Sequence, residues 1–191
     1  TYYRVLVNAS NSDCQQAVSS MVTAIIIPDI TVTTQPTNVN ECVGGLDQMT
    51  VAISGGSGLV SYQWQSSTTG AEPWANAVGT GSTTNTFTPP SVTPGTTYYR
   101  VLVNATGSDC QQAVSSVVTA IIIPDITVTT QPTNVNECVG GLDQMTVAIS
   151  GGSGLISYQW QSSTTGNEPW ANAIGTGSTT NTFTPPSATS G

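Results

Sequence analysis

The chain has 191 residues of which only 6% are charged, ten carboxylates against two arginines, with no lysine and no histidine, for a formal charge of −8. Such a composition offers no cationic surface to phosphates, so nucleic acid and anionic membrane are excluded as partners. The lack of histidine removes Ser-His-Asp and Cys-His nucleophile systems, and no apolar run reaches the length of a membrane span, so neither an enzyme nor membrane insertion in this segment is expected.

The opening segment TYYRVLVNA at Thr1 returns at Thr97, and residues 1–95 recur as residues 97–191 with a period of 96 and only eight differing pairs. A period this long is the size of an independently cored domain, far above that of a solenoid repeat. Near-identical tandem copies suit a stalk, a fibre or a multivalent binder better than a catalyst. The run Ile-Ile-Ile-Pro-Asp-Ile at Ile25–Ile30 and again at Ile121–Ile126 marks the boundaries. The expected division is the C-terminal part of a preceding repeat at 1–29, a complete repeat at 30–125, and the N-terminal part of a following repeat at 126–191. Two arrangements fit that division: a window on a longer polymer, or a filament in which the tail of one molecule completes the head of the next by strand addition.

Within the complete repeat, Met49, Val51 and Ile53 alternate with Thr50, Ala52 and Ser54, the mark of a half-buried strand that ends at the turn Gly55-Gly56-Ser57-Gly58. Ser61–Gln65 then sets Tyr62 and Trp64 on one face and Gln63 and Gln65 on the other. Short edge strands are expected around Trp74–Val78 and Asn85–Thr88, and Pro89 with Pro90 stops pairing there. Thr97–Ala105 resumes the alternation with Tyr99, Val101 and Val103 inward. A turn at Gly107-Ser108-Asp109 and a long strand over Gln112–Ile123 close the repeat. About seven short strands separated by Gly, Pro and Asn turns predict an all-β fold of tandem antiparallel β-sandwich repeats.

Cysteines fall twice per period, at Cys14, Cys42, Cys110 and Cys138, and no histidine or close second cysteine makes a zinc site. A disulfide between Cys42 and Cys110 is the expected pairing, with Cys14 and Cys138 joined to parts outside this stretch; pairing Cys14 with Cys42 and Cys110 with Cys138 is the competitor. Either places the chain outside the reducing cytosol.

The order Cys42, Trp64 within SYQWQ, TPGTTYYRVLV and Cys110, together with SGGSG before the Tyr-x-Trp strand, resembles the immunoglobulin-like tandem repeats of bacterial surface proteins, especially the gliding-motility adhesins of Bacteroidota. The resemblance spans the whole period. It implies an aromatic filling the sandwich from the third strand and a tyrosine corner at Pro-Gly-Thr-Thr-Tyr. It also implies an extracellular, cell-surface setting. The cysteines depart from the central inter-sheet bridge of antibodies and would cinch one end of the sandwich.

The remaining candidates are few. Five carboxylates per repeat read as solvated loop charges; the sharper reading is calcium at a repeat junction, with Asp29 or Asp125 joined by Asn40 and Glu41 or Asp47 as oxygen ligands. Trp74 and Trp170, in EPWANA outside clear alternation, are candidate platforms for sugar rings or else caps on the core. Asn8-Ala9-Ser10 and Asn104-Ala105-Thr106 have the form of glycosylation sequons. Together these features predict a structural and adhesive segment of a long extracellular bacterial surface protein, with neighbouring repeats of the same polymer and surface glycans as partners. The alternatives are a carbohydrate-binding module of a secreted protein and a self-assembling fibre subunit joined by strand complementation.

Overall fold

A computed structural model describes residues 1–10, 15–106 and 111–187. The expected turn at Gly107-Ser108-Asp109 lies outside the described residues, as do Cys14 and Cys110. All regular structure among the described residues is β.

The first four strands are short: β1 (Tyr2–Tyr3), β2 (Leu6–Val7), β3 (Ala17–Val18) and β4 (Val22–Thr23). They fold back as one antiparallel hairpin in which β1 pairs with β4 and β2 with β3. The central repeat then supplies β5 (Thr31–Thr34), β6 (Val39–Cys42), β7 (Met49–Thr50), β8 (Ala52–Ser54), β9 (Leu59–Ser67), β10 (Ala75–Asn76), β11 (Thr86–Phe87), β12 (Gly95–Thr106), β13 (Ala113–Val114) and β14 (Val118–Ile123). One sheet runs in the order β10-β9-β12-β14-β6, with β13 also on β12. The facing layer is built from β5 on β8 and β11 on β7. Between β7 and β8, Val51 donates its backbone N–H to the Asn85 carbonyl at 2.9 Å, so the two behave as one strand with a local irregularity.

The core lies between these layers because alternation sends every second side chain inward. Met49 and Val51 come from one sheet, Trp64, Tyr99, Val101 and Val103 from the other, and all six are buried as the alternation predicts. Phe87 completes the filling: its ring lies 5.2 Å from Trp64 and 5.1 Å from Tyr99. The buried indole of Trp64 donates to the Thr84 carbonyl at 2.9 Å, which satisfies its one polar atom.

Two features depart from the sequence reading. Cys42 falls in a strand that was not expected from the sequence. It ends β6, a strand with only one inward apolar residue, Val39, that pairs in parallel with β14 through Ala120↔Val39 to Ile123↔Cys42. A parallel pair between segments some 80 residues apart leaves no turn signal in the sequence, so nothing local announced it. The single strand expected over Gln112–Ile123 is instead split. The register slips by one residue between Leu102↔Val114 and Tyr99↔Val118, a bulge at residues 115–117. Ser115 holds it, accepting from the Val101 N–H through Oγ while its own N–H donates to the Val101 carbonyl, both at 3.0 Å.

Residues 126–187 repeat the first part of this plan. They form β15 (Thr127–Thr130), β16 (Met145–Thr146), β17 (Ala148–Ser150), β18 (Gln161–Ser162), β19 (Ala171–Asn172) and β20 (Thr182–Phe183). Pairing follows the central repeat: β15 with β17, β16 with β20, and β18 with β19.

Candidate functional site: the repeat junction and the outer tryptophan

The junction between repeats is the first place where a function can be built from residues. Pro28 and Pro124 follow the Ile-Ile-Ile runs and lack an N–H; β14 stops at Ile123, immediately before Pro124. Their carbonyls are taken up by the next unit: Gly56 donates its N–H to the Pro28 carbonyl at 2.8 Å, and Gly152 does the same to Pro124 at 2.7 Å. The turn can approach so closely because Gly55 and Gly151 adopt φ of +82° and +79°, and a Cβ on either would run into the carbonyl oxygen of Asp29 or Asp125. At the first junction the Asp29 carboxylate also accepts the Gln111 N–H at 3.1 Å. Two junctions 96 residues apart therefore carry the same clamp, built from backbone groups.

The second place is the outer face of the larger sheet. Arg100 points outward because Tyr99 and Val101 beside it point inward. Its guanidinium carbon lies 4.4 Å from the centroid of the Trp74 ring, its Nε donates to Gln65 Oε1 at 2.9 Å, and Nη2 meets Glu72 Oε1 at 3.1 Å. Glu72 in turn accepts the Trp74 N–H at 3.2 Å. The ion pair is exposed on the Glu72 side and contributes little by itself; stacking of the guanidinium on the indole is the larger part of the arrangement. Trp74 is half-buried, neither a free platform nor a core residue, while Trp170 is exposed. Arg100 was not singled out as a site residue from the sequence, although one signal was available: it is the sole cation of the repeat and occupies an outward position.

The candidate calcium ligands are distributed differently. Glu41 and Asp47 are brought together, but by a backbone contact in which the Asp47 N–H donates to Glu41 Oε2 at 2.8 Å; Glu137 and Asp143 repeat it at 2.7 Å. Asp29 is engaged with Gln111 instead. No group of three or more His, Cys, Asp or Glu gathers among the described residues. Cys42 is half-buried at the end of β6 and Cys138 is exposed, while the other partner in each expected pairing lies outside the described residues. Asn104 and Asn8 accept side-chain hydrogen bonds through Oδ1 from Gln112 and Gln16 at 2.9 and 2.8 Å.

Comparison with known proteins places this geometry. Residues 31–124 match the model of a family described as a domain of unknown function (DUF8696). No curated protein matches the chain. Among solved structures the chain is similar to an I-band fragment of titin, with a TM-score of 0.50 at 10% identity over 86% of this chain and 56% of that one. It is similar also to Sidekick-1 immunoglobulin domains 1–4, with a TM-score of 0.47 at 15% identity over 78% of this chain and 41% of that one. A third is the extracellular domains 3–5 of Drosophila OTK, with a TM-score of 0.47 at 15% identity over 78% of this chain and 48% of that one. The chain thus spans less than two thirds of the length of each. What the likeness to the titin fragment shows is the fold, an immunoglobulin-like β-sandwich.

Proposed function

We propose that this chain is a segment of a stiff stalk or filament of tandem immunoglobulin-like repeats, a structural and adhesive part of a long extracellular protein on a bacterial surface of the Bacteroidota gliding-adhesin type. The observation that carries this reading is the recurrent clamp, in which Gly56 holds Pro28 and Gly152 holds Pro124. Flexible linkers between domains are rich in Gly and Ser and make no such contacts; here β14 ends at Ile123 and the chain passes through Pro124 directly onto a turn of the next unit. Lateral repulsion between acidic units keeps neighbouring rods apart. The low charge and many Ser and Thr side chains suit an exterior setting, and the resemblance stated above supplies the bacterial surface.

In the same reading Cys42 and Cys110 form a disulfide enclosing 69 residues. A loop of that size adds about 4 kcal/mol in the chain-entropy model. Peptide mapping of unreduced protein should recover a Cys42–Cys110 cross-linked pair; a Cys14–Cys42 pair would move the bridge to the junction between repeats. A carbohydrate-binding role would use Trp74 and Trp170; the Arg100 guanidinium already covers one face of Trp74, whereas Trp170 is exposed. The mechanical reading takes precedence. Its test is antibody labelling of intact cells, combined with electron microscopy of surface filaments in strains carrying shortened repeat arrays. Labelled filaments that shorten in proportion to the repeats removed are expected. Labelling confined to lysed cells would contradict the proposal.

A further inference from the structure

The first and last segments of the complete central repeat lie side by side over more than the four residues of β6. From Ala120↔Val39 to Ile123↔Cys42 the two strands pair in parallel at a constant offset of 81 residues. Just past Cys42, the Val43 N–H donates to the Ile123 carbonyl at 3.1 Å. Before β6 the ladder stops, and Pro36 has no N–H to offer one. There two side-chain amides take over at the same offset. Asn38 Oδ1 accepts the Thr119 N–H at 2.9 Å, and Gln35 Oε1 accepts both the Ser116 N–H at 2.8 Å and the Ser116 hydroxyl at 3.2 Å. The amides extend the overlap from the four residues of β6 to the eight from Gln35 to Cys42.

The direction of the two strands decides what a pull on the chain does to this overlap. The chain reaches β6 from the Gln35 side and leaves β14 from the Ile123 side, and in a parallel pair those are opposite ends. Tension from neighbouring units therefore draws β6 backward through Asn38 while it draws β14 forward through Ile123. The segments can part only by sliding, so the bonds are strained together. A pair pulled from one end would open one bond at a time.

We propose that residues 35–43 and 116–123 form a lap joint that carries tension along the stalk, with Gln35 and Asn38 as working parts of it. Such a joint presupposes the stalk reading, which supplies the neighbours that pull on it, and adds that each repeat is built to resist being drawn open. Both amides stand in for backbone groups at positions where the main chain makes no ladder, and each meets a partner 81 residues away.

The test is single-molecule stretching of the full 191-residue chain from its two ends, in reductant so that no thiol cross-link contributes. Opening of the central repeat is recognised by the release of roughly 300 Å of chain, the length of residues 30–123 at up to about 3.6 Å each. Gln35→Ala combined with Asn38→Ala should speed that event at fixed load by roughly tenfold, because bonds that hold the barrier are lost. Thr84→Ala removes comparable bonds, from the Thr86 N–H and to the Gly81 and Thr86 carbonyls, in a turn outside the joint. It should lower stability in urea to a similar degree yet leave the rate under load within about twofold of the parent. Moving one handle from the N-terminus to Leu46, an exposed residue just past the joint, pulls β6 and β14 from the same end. The repeat should then open under a several-fold lower load. A double variant as resistant as the parent, a Thr84→Ala chain that yields as readily as the double variant, or equal resistance in the two pulling directions would overturn the proposal. The comparison of directions changes no residue of the joint, so it decides the matter even where a variant does not fold. None of these results touches the stalk reading, which is tested by filament length on cells.

Discussion

Phe87 carries more of the core than its sequence surroundings suggest. It sits in Thr-Asn-Thr-Phe-Thr, without an alternating apolar neighbour, yet it is fully buried and joins Trp64 on one sheet to Tyr99 on the same sheet's next strand. The inward set Met49, Val51, Trp64, Tyr99, Val101 and Val103 could be read from period-2 alternation; Phe87 could not, because a strand two residues long has no period. Phe87→Ala should cost about 3 to 5 kcal/mol in urea unfolding followed by tryptophan fluorescence, a large share of a small domain's stability. A cost below about 1 kcal/mol would mean that the site closes over the void or that the ring is not central. Burial also raises the pKa of Tyr99, with a hydrogen bond from the Thr97 side chain opposing part of the shift. The folded state thus binds the phenol proton more tightly than the unfolded chain does. Its contribution to stability is intact below the ordinary phenol range, about pH 10, and is lost as pH rises through the raised value, so stability should fall on going to higher pH. Replacing Tyr99 by Phe should move that alkaline fall upward in a pH series of melting temperatures.

At the scale of elements, the repeat provides its own control, since the same letters fold differently according to their neighbours. Val-Asn-Glu-Cys forms β6 at residues 39–42 against β14, but the identical residues 135–138 form no strand. The nine residues of β9 shrink in the following unit to the two of β18, and the twelve of β12 correspond in the leading hairpin to the paired dipeptides β1 and β2. Strand propensity in these segments is therefore a preference for a partnered, half-buried surface more than a property of the local backbone. This is why the sandwich was readable from the sequence while the extent of each strand, the parallel pair and the bulge at residues 115–117 were not. The junction clamp was likewise hidden, because a close approach between Gly55 and Asp29 shows in the sequence only as a glycine in a turn. Gly44 and Gly55 share φ of +82°, but a Cβ on Gly44 meets nothing within 4 Å. Gly44→Ala should thus cost about 1 kcal/mol for its backbone conformation alone. Gly55→Ala should cost more and loosen the junction, read as a lower melting temperature together with faster proteolysis near Pro28. Equal effects of the two substitutions would remove the clamp from the account.

At the scale of the whole molecule, the proposed stalk draws on the immunoglobulin-like fold of the units and on the contact that recurs at both junctions. The candidate site residues did not converge on one cleft: Trp74 is taken up by Arg100, Asp29 by Gln111, and Glu41 by the Asp47 backbone. Sequence reasoning identified each of them as unusual but had no means of pairing them, since every pairing partner except Asp47 and Glu72 lies far along the chain. The dimension that matters is the length of one unit, which β12 sets through its 12 residues at roughly 3.3 Å each, on the order of 40 Å. Small-angle X-ray scattering on chains carrying two, four and eight of these repeats tests the central claim most directly. A stiff series of self-cored sandwiches predicts a maximum dimension that grows linearly, by on the order of 40 Å for each added repeat. Growth with the square root of repeat number, or a compact particle whose dimension hardly changes, would contradict it.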